Sequence, residues 1–416
     1  MSLAQNDHGA ETWDSRYTVF MRSSVTRHFL LHLVCLAGCT QVEFSTGGAG
    51  GAGASPAGPG NGAGGSGAES SSSGTGGTGA ASSTGGTGGS PCDPGMEFNT
   101  PDHCGACNHS CAGGACELGV CQPLEVWAAP MCDARGVTIA DDQVVWLVES
   151  SLDPELPGPW KMSVAELPGG PAMRLAMNSG QRIAYRSPKL FWTYDNVRHV
   201  NLSGAGPQLT LGAVCKNYFT LDDLGRVYCR VRDDAVAGEA KESIKRLAID
   251  LTGNLISGAD MSWTLGNYTA VTGMVAVGPS LYFGRSGGFT RLPLDPDGPQ
   301  GMTLGSNAVL GDVVSSGDQI YFAERISNTE NQLMVHEIGT LTVDEVYAPL
   351  DAFHLHIDDV AIFAAGDGSD EIRRLNKAMP ALEAVWNLDS PVRGIAGTAE
   401  FLFVTTEDCR LHRIAK

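Results

Sequence analysis

The sequence predicts an all-β protein, a seven-bladed β-propeller closed by an N-terminal strand and preceded by a disordered Gly/Ser linker and a small Cys-rich module. The first observation is an apolar triplet that occurs seven times, with its third residue at Trp146, Trp192, Cys229, Phe283, Phe322, Phe363 and Phe403. Successive copies lie 46, 37, 54, 39, 41 and 40 residues apart, a period typical of four-stranded propeller blades. The second observation is that residues 123–129 match the segment 382–388, so they can supply the outer strand that the seventh repeat lacks.

Each repeat carries the pattern of four strands. An apolar segment that ends in turn residues precedes the triplet, as at 137–142. A segment that alternates basic and apolar residues follows it, as at 197–202, and such alternation is typical of half-buried strands. A further segment, as at 380–389, is predicted to form the fourth strand of the repeat. The third repeat has an insertion at 233–243, which we interpret either as a binding loop or as a solvated hairpin tip.

The repeats of residues 123–416 resemble those of the NHL, YVTN and streptogramin-lyase-like propellers. The segment Lys189–Thr193, KLFWT, is also similar to the YWTD signature of six-bladed receptor propellers. The resemblance implies that the repeats form propeller blades. It does not indicate a ligand, because propellers of one architecture serve unrelated functions. It also implies an alternative function, a propeller lyase or hydrolase with histidine-based acid–base chemistry.

The first 91 residues predict export. Residues 1–20 are interpreted as an upstream extension, because their acidic residues are foreign to the start of a signal peptide. Residues 21–38 combine arginines, an apolar run and small residues in the order of a secretory signal. Their end, Leu36-Ala37-Gly38-Cys39, resembles the lipobox of bacterial lipoproteins, which implies acylation of Cys39. Residues 39–91 then form a lipidated N-terminus and a tether, in which 46–90 hold 19 glycines.

The 12 cysteines fit an oxidising compartment, because an even number remains once Cys35 leaves with the signal and Cys39 is acylated. Residues 92–122 have too few large apolar side chains for a core, so crosslinks must stabilise this module. We expect disulfides among Cys92, Cys104, Cys107, Cys111, Cys116 and Cys121. The alternative is a zinc site on Cys104, Cys107, Cys111 and His109. The module resembles short Cys-rich segments in surface lipoproteins of myxobacteria-like organisms.

Two further disulfides are predicted within the propeller. Cys215 and Cys229 flank a predicted hairpin in the third repeat. Cys132 and Cys409 fall where the last blade meets the first, and a bridge there would lock the ring.

His354 and His356 are the candidate catalytic residues. They lie two positions apart in the first strand of the sixth repeat, so we expect their side chains to lie side by side along the channel. Such imidazoles can ligate a metal or act as acid and base, and the alternative is that they pack between blades. The segments 295–298 and 366–371 contain several carboxylates, but these lack the spacing of a calcium loop. Both segments are interpreted as turns. We expect no cofactor and no metal.

The formal net charge of −19 argues against nucleic acid as a partner, because nucleic-acid-binding proteins concentrate Lys and Arg on one face. We expect a cell-envelope lipoprotein held in a membrane through Cys39, and Thr40 in place of Asp favours the outer membrane. The propeller is expected to bind a protein or glycan without catalysis. The alternatives are the lyase or hydrolase and a structural scaffold in an envelope assembly.

Overall fold

Each repeat folds as a sheet of four antiparallel strands, because apolar residues alternate with polar ones and the connections carry turn-forming residues. The computed structural model describes residues 99–106, 109–150, 152–193, 196–204, 208–215, 218–233, 241–247, 261–267, 270–295, 301–327 and 330–416. All of them belong to the second of two units, Gly86–Lys416. The predicted signal peptide, Cys39 and the linker lie outside the described residues. Within these ranges, no helix has the length and apolar character needed to cross a bilayer.

The strands follow chain order around the ring. The module and the closing strand comprise β1 (Asn99–Thr100), β2 (His103–Cys104), β3 (Cys116–Glu117), β4 (Val120–Cys121) and β5 (Leu124–Ala128). Blades 1 and 2 comprise β6 (Asp133–Ala140), β7 (Gln143–Glu149), β8 (Gly158–Ser163) and β9 (Met173–Arg174), and then β10 (Arg182–Arg186), β11 (Lys189–Thr193), β12 (Asn196–Asn201) and β13 (Leu209–Val214). Blades 3 and 4 comprise β14 (Phe219–Leu221), β15 (Val227–Asp233), β16 (Lys241–Leu247) and β17 (Met261–Asn267), and then β18 (Val271–Val277), β19 (Ser280–Arg285), β20 (Gly288–Pro293) and β21 (Met302–Gly305). Blades 5 to 7 comprise β22 (Val309–Ser316), β23 (Gln319–Arg325), β24 (Asn331–Glu337), β25 (Asp344–Tyr347); β26 (His354–Ile357), β27 (Ala361–Ala365), β28 (Glu371–Asn376), β29 (Leu382–Asn387); and β30 (Val392–Gly397), β31 (Phe401–Thr406), β32 (Arg410–Ala415) with β5.

The seventh blade is completed by β5, which precedes the first blade in the chain. Leu411 of β32 lies opposite Trp127 of β5. The innermost strands contact one another in the order β6, β10, β14, β18, β22, β26 and β30, and β30 contacts β6. The ring therefore closes, and the predicted seven-bladed propeller with its N-terminal closing strand is confirmed. In the closed ring, β5 covers the edge of β32 that would otherwise be free to pair with another chain.

The core lies between neighbouring blades and is built on the recurring triplets. The third residue of every triplet is buried, whether it is aromatic or, in blade 3, Cys229. Trp146 and Phe403 share one cluster between blades 1 and 7, and Phe289 and Phe322 share another between blades 4 and 5. Full burial of such a side chain contributes roughly 1.5–3 kcal/mol. Each triplet thus fixes its blade against the neighbouring blade.

Four innermost strands carry a β-bulge near their first residues. Their register with the second strand shifts at Arg135/Val137, Val271/Gly273, Leu310/Val313 and Val392/Gly394. A glycine lies in or beside each bulge, and Gly311 shows why. Its φ is +60°, and a Cβ atom there would overlap the backbone of Phe353, which leads into the next innermost strand. Glycine thus allows neighbouring innermost strands to approach each other closely.

Disulfides crosslink the described part of the Cys-rich module. Cys104 pairs with Cys116, and Cys111 pairs with Cys121. The alternative of a zinc site is wrong for Cys104 and Cys111, because the sulfur of each is bonded to another cysteine. In addition, the ring nitrogens of His109 lie 2.6 Å from the Cys104 carbonyl oxygen and 2.7 Å from that of Lys416. The other two cysteines of the predicted set, Cys92 and Cys107, lie outside the described residues.

The two disulfides predicted within the propeller are present. Cys215 is bonded to Cys229, and Cys132 is bonded to Cys409. The second bond joins the segment before β6 to the turn before β32, so it ties blade 1 to blade 7 where the ring closes. In the third repeat, Asp233 pairs with Lys241, so both ends of the insertion extend β15 and β16. Residues 234–240 lie outside the described ranges.

The module docks beside blade 7, at the end where β32 finishes and β5 begins. The buried guanidinium of Arg413 donates hydrogen bonds to the carbonyl oxygens of Ala112 and Leu167. The indole of Trp386 donates to the carbonyl oxygen of Cys121 at 2.8 Å. Because neighbouring strands of a blade run in opposite directions, this end lies opposite the end at which β30 begins.

Candidate functional site at the channel mouth

The innermost strands begin around one mouth of the central channel, and a cavity of about 210 Å³ lies there. The side chains that line it come from several blades: Arg135, Gln181, Arg182, Tyr218, Phe353, His354, Asp367 and Arg393. Three of these eight residues are arginines, in a chain whose formal net charge is −19. The lining of the mouth therefore contains more cationic than anionic side chains, whereas the whole sequence contains more anionic ones.

Two β-bulges place Arg135 and Arg393 in the mouth, because a bulge redirects a side chain from the regular alternation of its strand. Arg135 Nε lies 2.6 Å from Glu149 Oε2, and its Nη2 lies 3.0 Å from Asp133 Oδ2. Arg393 Nη2 lies 2.7 Å from Glu407 Oε2, and its Nε lies 4.0 Å from Asp133 Oδ1. Burial raises the pKa of Asp133, while the two arginines oppose that shift. The three carboxylates hold both guanidinium groups in place.

A third arginine forms an ion pair across the channel. Arg182, at the start of β10 in blade 2, donates to Asp312 in the β22 bulge of blade 5. Its guanidinium carbon lies 5.0 Å from the centroid of the Tyr218 ring, within the range of a cation–π interaction. Burial acts to raise the pKa of Asp312, but Arg182 and His354 outweigh it and hold that pKa well below its ordinary value. The pair joins opposite sides of the ring and narrows the channel at its mouth.

His354 lies in the wall of the cavity beside the same carboxylate. Its Nδ1 is 3.7 Å from Asp312 Oδ2, and this oxygen also accepts a hydrogen bond from the backbone N–H of Leu355 at 3.2 Å. The imidazole packs edge-to-face on Phe353, with ring centroids 5.1 Å apart. A carboxylate beside an imidazole can orient the ring, which is an arrangement that acid–base catalysis uses. The mouth therefore contains one histidine and one carboxylate suited to such chemistry.

His356 lies in a different cluster and does not line the cavity. Lys416 Nζ lies 3.4 Å from His356 Nε2, and it donates to Asp358 Oδ2 at 2.8 Å and to the Thr398 carbonyl oxygen at 2.7 Å. Burial, reinforced by the positive charge of Lys416, lowers the pKa of His356 to about 4. The structure therefore does not bring the two predicted imidazoles into one site, because residues two positions apart on a strand are displaced along it: His354 lines the cavity, and His356 lies with Lys416 and Asp358.

The sequence analysis missed the ionic side chains of the mouth. Arg182 and Asp312 are 130 residues apart, and no local spacing connects them. A local signal does exist for three of the missed positions, where a charged residue stands directly beside a glycine at the start of a first strand: Arg135-Gly136, Gly311-Asp312 and Arg393-Gly394. Such a glycine in a strand marks a bulge.

Potential metal ligands meet at one place in the described ranges. The sulfurs of Cys104, Cys111 and Cys121 lie within 4.8 Å of one another, and all three are in disulfides. The carboxylate-rich segment 366–371 begins with a turn in which Gly368 has a φ of +69°. Its Asp367 lines the cavity. The second such segment, 295–298, lies mostly outside the described residues.

The closed ring and its polar mouth define the protein as a seven-bladed β-propeller with a ligand-sized cavity at one end of the channel.

No protein-family model and no curated protein matches the chain. Among solved structures, it is similar to virginiamycin B lyase from Staphylococcus aureus, with 14% identity and a TM-score of 0.51 over 71% of this chain and 98% of that one. It is also similar to the Cps50 (Swd1) β-propeller domain of Myceliophteria thermophila, with 8% identity and a TM-score of 0.52 over 71% and 99%. A third similar structure is the AfRom2 CNH domain, with 8% identity and a TM-score of 0.50 over 71% and 99%. At these identities the similarity establishes the fold alone.

Proposed function

We propose that this protein is an exported, lipid-anchored binding protein whose propeller recognises a protein or glycan at the channel mouth without catalysis. The observation that carries the proposal is the cavity of about 210 Å³, in which Arg135 and Arg393 are held by ion pairs with neighbouring carboxylates. Side chains that are already ordered lose little conformational entropy on binding, so a preorganised polar cavity favours affinity.

Export is supported by the disulfides and by the N-terminal sequence. Four disulfides join cysteines of the described ranges, and disulfides persist in oxidising compartments. The segment 21–38 carries the pattern of a signal peptide, and Cys39 follows a lipobox-like end. Two or more acyl chains at Cys39 would give stable anchoring. As a random coil, residues 46–90 would extend over roughly 35–40 Å, which is enough to hold the propeller away from a membrane surface.

The anchor is tested by metabolic labelling with an alkyne analogue of palmitate in a double-membrane bacterial host. We expect the wild type to be labelled and recovered with membranes. The Cys39→Ser variant should lose both the label and the membrane association. The matched control is Cys35→Ser, which alters the signal peptide and should keep both. Equal labelling of wild type and Cys39→Ser would contradict the proposed anchor.

The binding site is tested by probing glycan and peptide arrays with the detergent-solubilised full chain. Arg393→Gln removes one cationic group from the cavity, and we expect it to weaken every interaction made at the mouth. The matched control is Arg373→Gln on β28, whose partner Glu371 lies on the same strand, outside the cavity lining. A partner that binds wild type and both variants equally would place recognition elsewhere and favour the structural scaffold.

The enzyme alternative is favoured by a single observation, the 3.7 Å separation of His354 Nδ1 and Asp312 Oδ2. It is tested by incubating ligands selected on the arrays with the protein and following them by mass spectrometry. The binding proposal predicts that they stay intact. Turnover that is lost in His354→Ala but kept in His356→Ala would establish the lyase or hydrolase instead, because only the first histidine lines the mouth.

A further inference from the structure

We propose that the mouth cavity binds the carboxylate-bearing ring of an acidic sugar residue in a glycan; this assignment rests on the proposed binding function and names its ligand class. The starting observation is the unequal charge of the cavity wall. Three guanidinium groups line it, from Arg135, Arg182 and Arg393, against one carboxylate, that of Asp367.

The carboxylates that pair with the arginines do not line the cavity. Asp133, Glu149, Asp312 and Glu407, which pair with the three arginines, are not among the side chains that line it. Each guanidinium carries five N–H groups, and these ion pairs engage only one or two of its nitrogens. The remaining donors can bind a carboxylate of a ligand, for which the planar guanidinium is well suited.

The remaining polar side chains favour a ligand that carries hydroxyl groups as well as a negative charge. Asp367 is exposed and, when ionised, only accepts hydrogen bonds, so it would repel a simple anion such as phosphate or acetate and receive no hydrogen bond from it. Sugar hydroxyls donate as well as accept, so they can bond to Asp367 and to Gln181 together. Tyr218 and Phe353 add aromatic surface to the same wall, against which the C–H face of a ring can pack.

The size of the cavity fits one sugar ring. Its volume of about 210 Å³ equals that of roughly seven water molecules in the liquid. Sites for drug-sized molecules are larger, at about 300–1,000 Å³. A single monosaccharide unit at the end of a chain, or projecting from it, is therefore the part of a glycan that the mouth can enclose.

The experiment is isothermal titration of the full chain in detergent with D-galacturonate and, for comparison, neutral D-galactose. We expect galacturonate to bind with a dissociation constant of about 1 mM or tighter, and galactose to bind at least about tenfold more weakly. Arg393→Gln and Arg135→Gln should each weaken galacturonate binding at least about tenfold, whereas Arg373→Gln should leave it unchanged. Thermal unfolding of each variant shows whether the fold is retained, so a loss of binding in a folded variant reports on the site.

Three results would overturn the assignment. The first is equal binding of galactose and galacturonate, which would make this a neutral-sugar site. The second is stronger binding of a peptide carboxylate, with N-acetyl-diglycine as the probe, and the third is no binding of galacturonate at about 10 mM. In each of these cases the proposed binding function still holds if Arg393→Gln weakens the binding of ligands on the arrays. If Arg393→Gln weakens no interaction, both the sugar assignment and the proposed binding function are wrong.

Discussion

His356 is a residue whose charge state is set by the surrounding fold. Burial and the neighbouring Lys416 lower its pKa to about 4, whereas an unfolded histidine has a pKa of about 6.5. The folded protein therefore binds this proton less readily than the unfolded chain, and stability falls as the pH drops from about 6.5 towards 4. The full shift corresponds to about 3 kcal/mol of unfolding free energy.

We predict that His356→Gln removes this contribution to the pH dependence. Denaturant unfolding at pH 7 and pH 4.5 gives the loss of unfolding free energy for each protein, and the wild type should lose about 2 kcal/mol more than the variant. Other groups titrate in both proteins and cancel in the comparison. Equal losses would show that His356 does not titrate with a lowered pKa.

At the residue scale the sequence predicted some side chains and missed others for a physical reason. His354 was identified by its position in the first strand, and it does line the mouth. The ion pair of Arg182 with Asp312 could not be predicted, because it joins blades 2 and 5 and depends on how the ring closes. Such a contact between distant residues leaves no trace in local spacing.

At the scale of elements, the blades were predictable because one apolar pattern repeats. The bulges of the innermost strands were missed, because each changes the register by inserted residues without breaking the apolar pattern, and only the glycine in or beside each bulge marks it in the sequence. The bulges nevertheless position Arg135, Asp312 and Arg393. The charged side chains of the mouth therefore depend on features of the strands that the apolar pattern does not show.

The bulge glycine Gly311 provides a test of this packing. Gly311→Ala should destabilise the protein by about 3 kcal/mol, because a left-handed residue with a Cβ is strained and this Cβ would also overlap Phe353. The matched control is Gly317→Ala, at a φ of +64° with no neighbouring atom within 4 Å, which should cost only about 1–2 kcal/mol. Denaturant unfolding measures both values. Equal destabilisation would show that the close approach of the innermost strands contributes nothing.

At the scale of the whole molecule, ring closure depends on a strand and a disulfide that join the two ends of the propeller. Cys132 and Cys409 are separated by 277 residues, whereas Cys215 and Cys229 are separated by 14. A crosslink that closes a longer loop removes more entropy from the unfolded chain, by about 5.5 kcal/mol against about 3 kcal/mol for these lengths.

We therefore predict unequal effects of removing the two bonds. Replacing both Cys132 and Cys409 by Ala should lower the unfolding free energy by about 2.5 kcal/mol more than replacing both Cys215 and Cys229 by Ala. Guanidinium unfolding of the oxidised proteins gives the comparison. A larger loss from the shorter loop would contradict the view that Cys132–Cys409 is the principal lock of the ring.

The cavity and the Cys-rich module lie at opposite ends of the propeller. The Cys-rich module, which follows the proposed tether in the chain, docks at the end where β32 finishes. The cavity lies at the opposite end, where the innermost strands begin.

A crystal structure of the protein grown with D-galacturonate tests most directly whether the mouth is the ligand site. We predict one sugar ring in the cavity, with its carboxylate within about 3 Å of guanidinium nitrogens of Arg393 or Arg182. We also predict a hydroxyl bonded to Asp367. An empty cavity in crystals where the sugar occupies another part of the propeller would contradict the account.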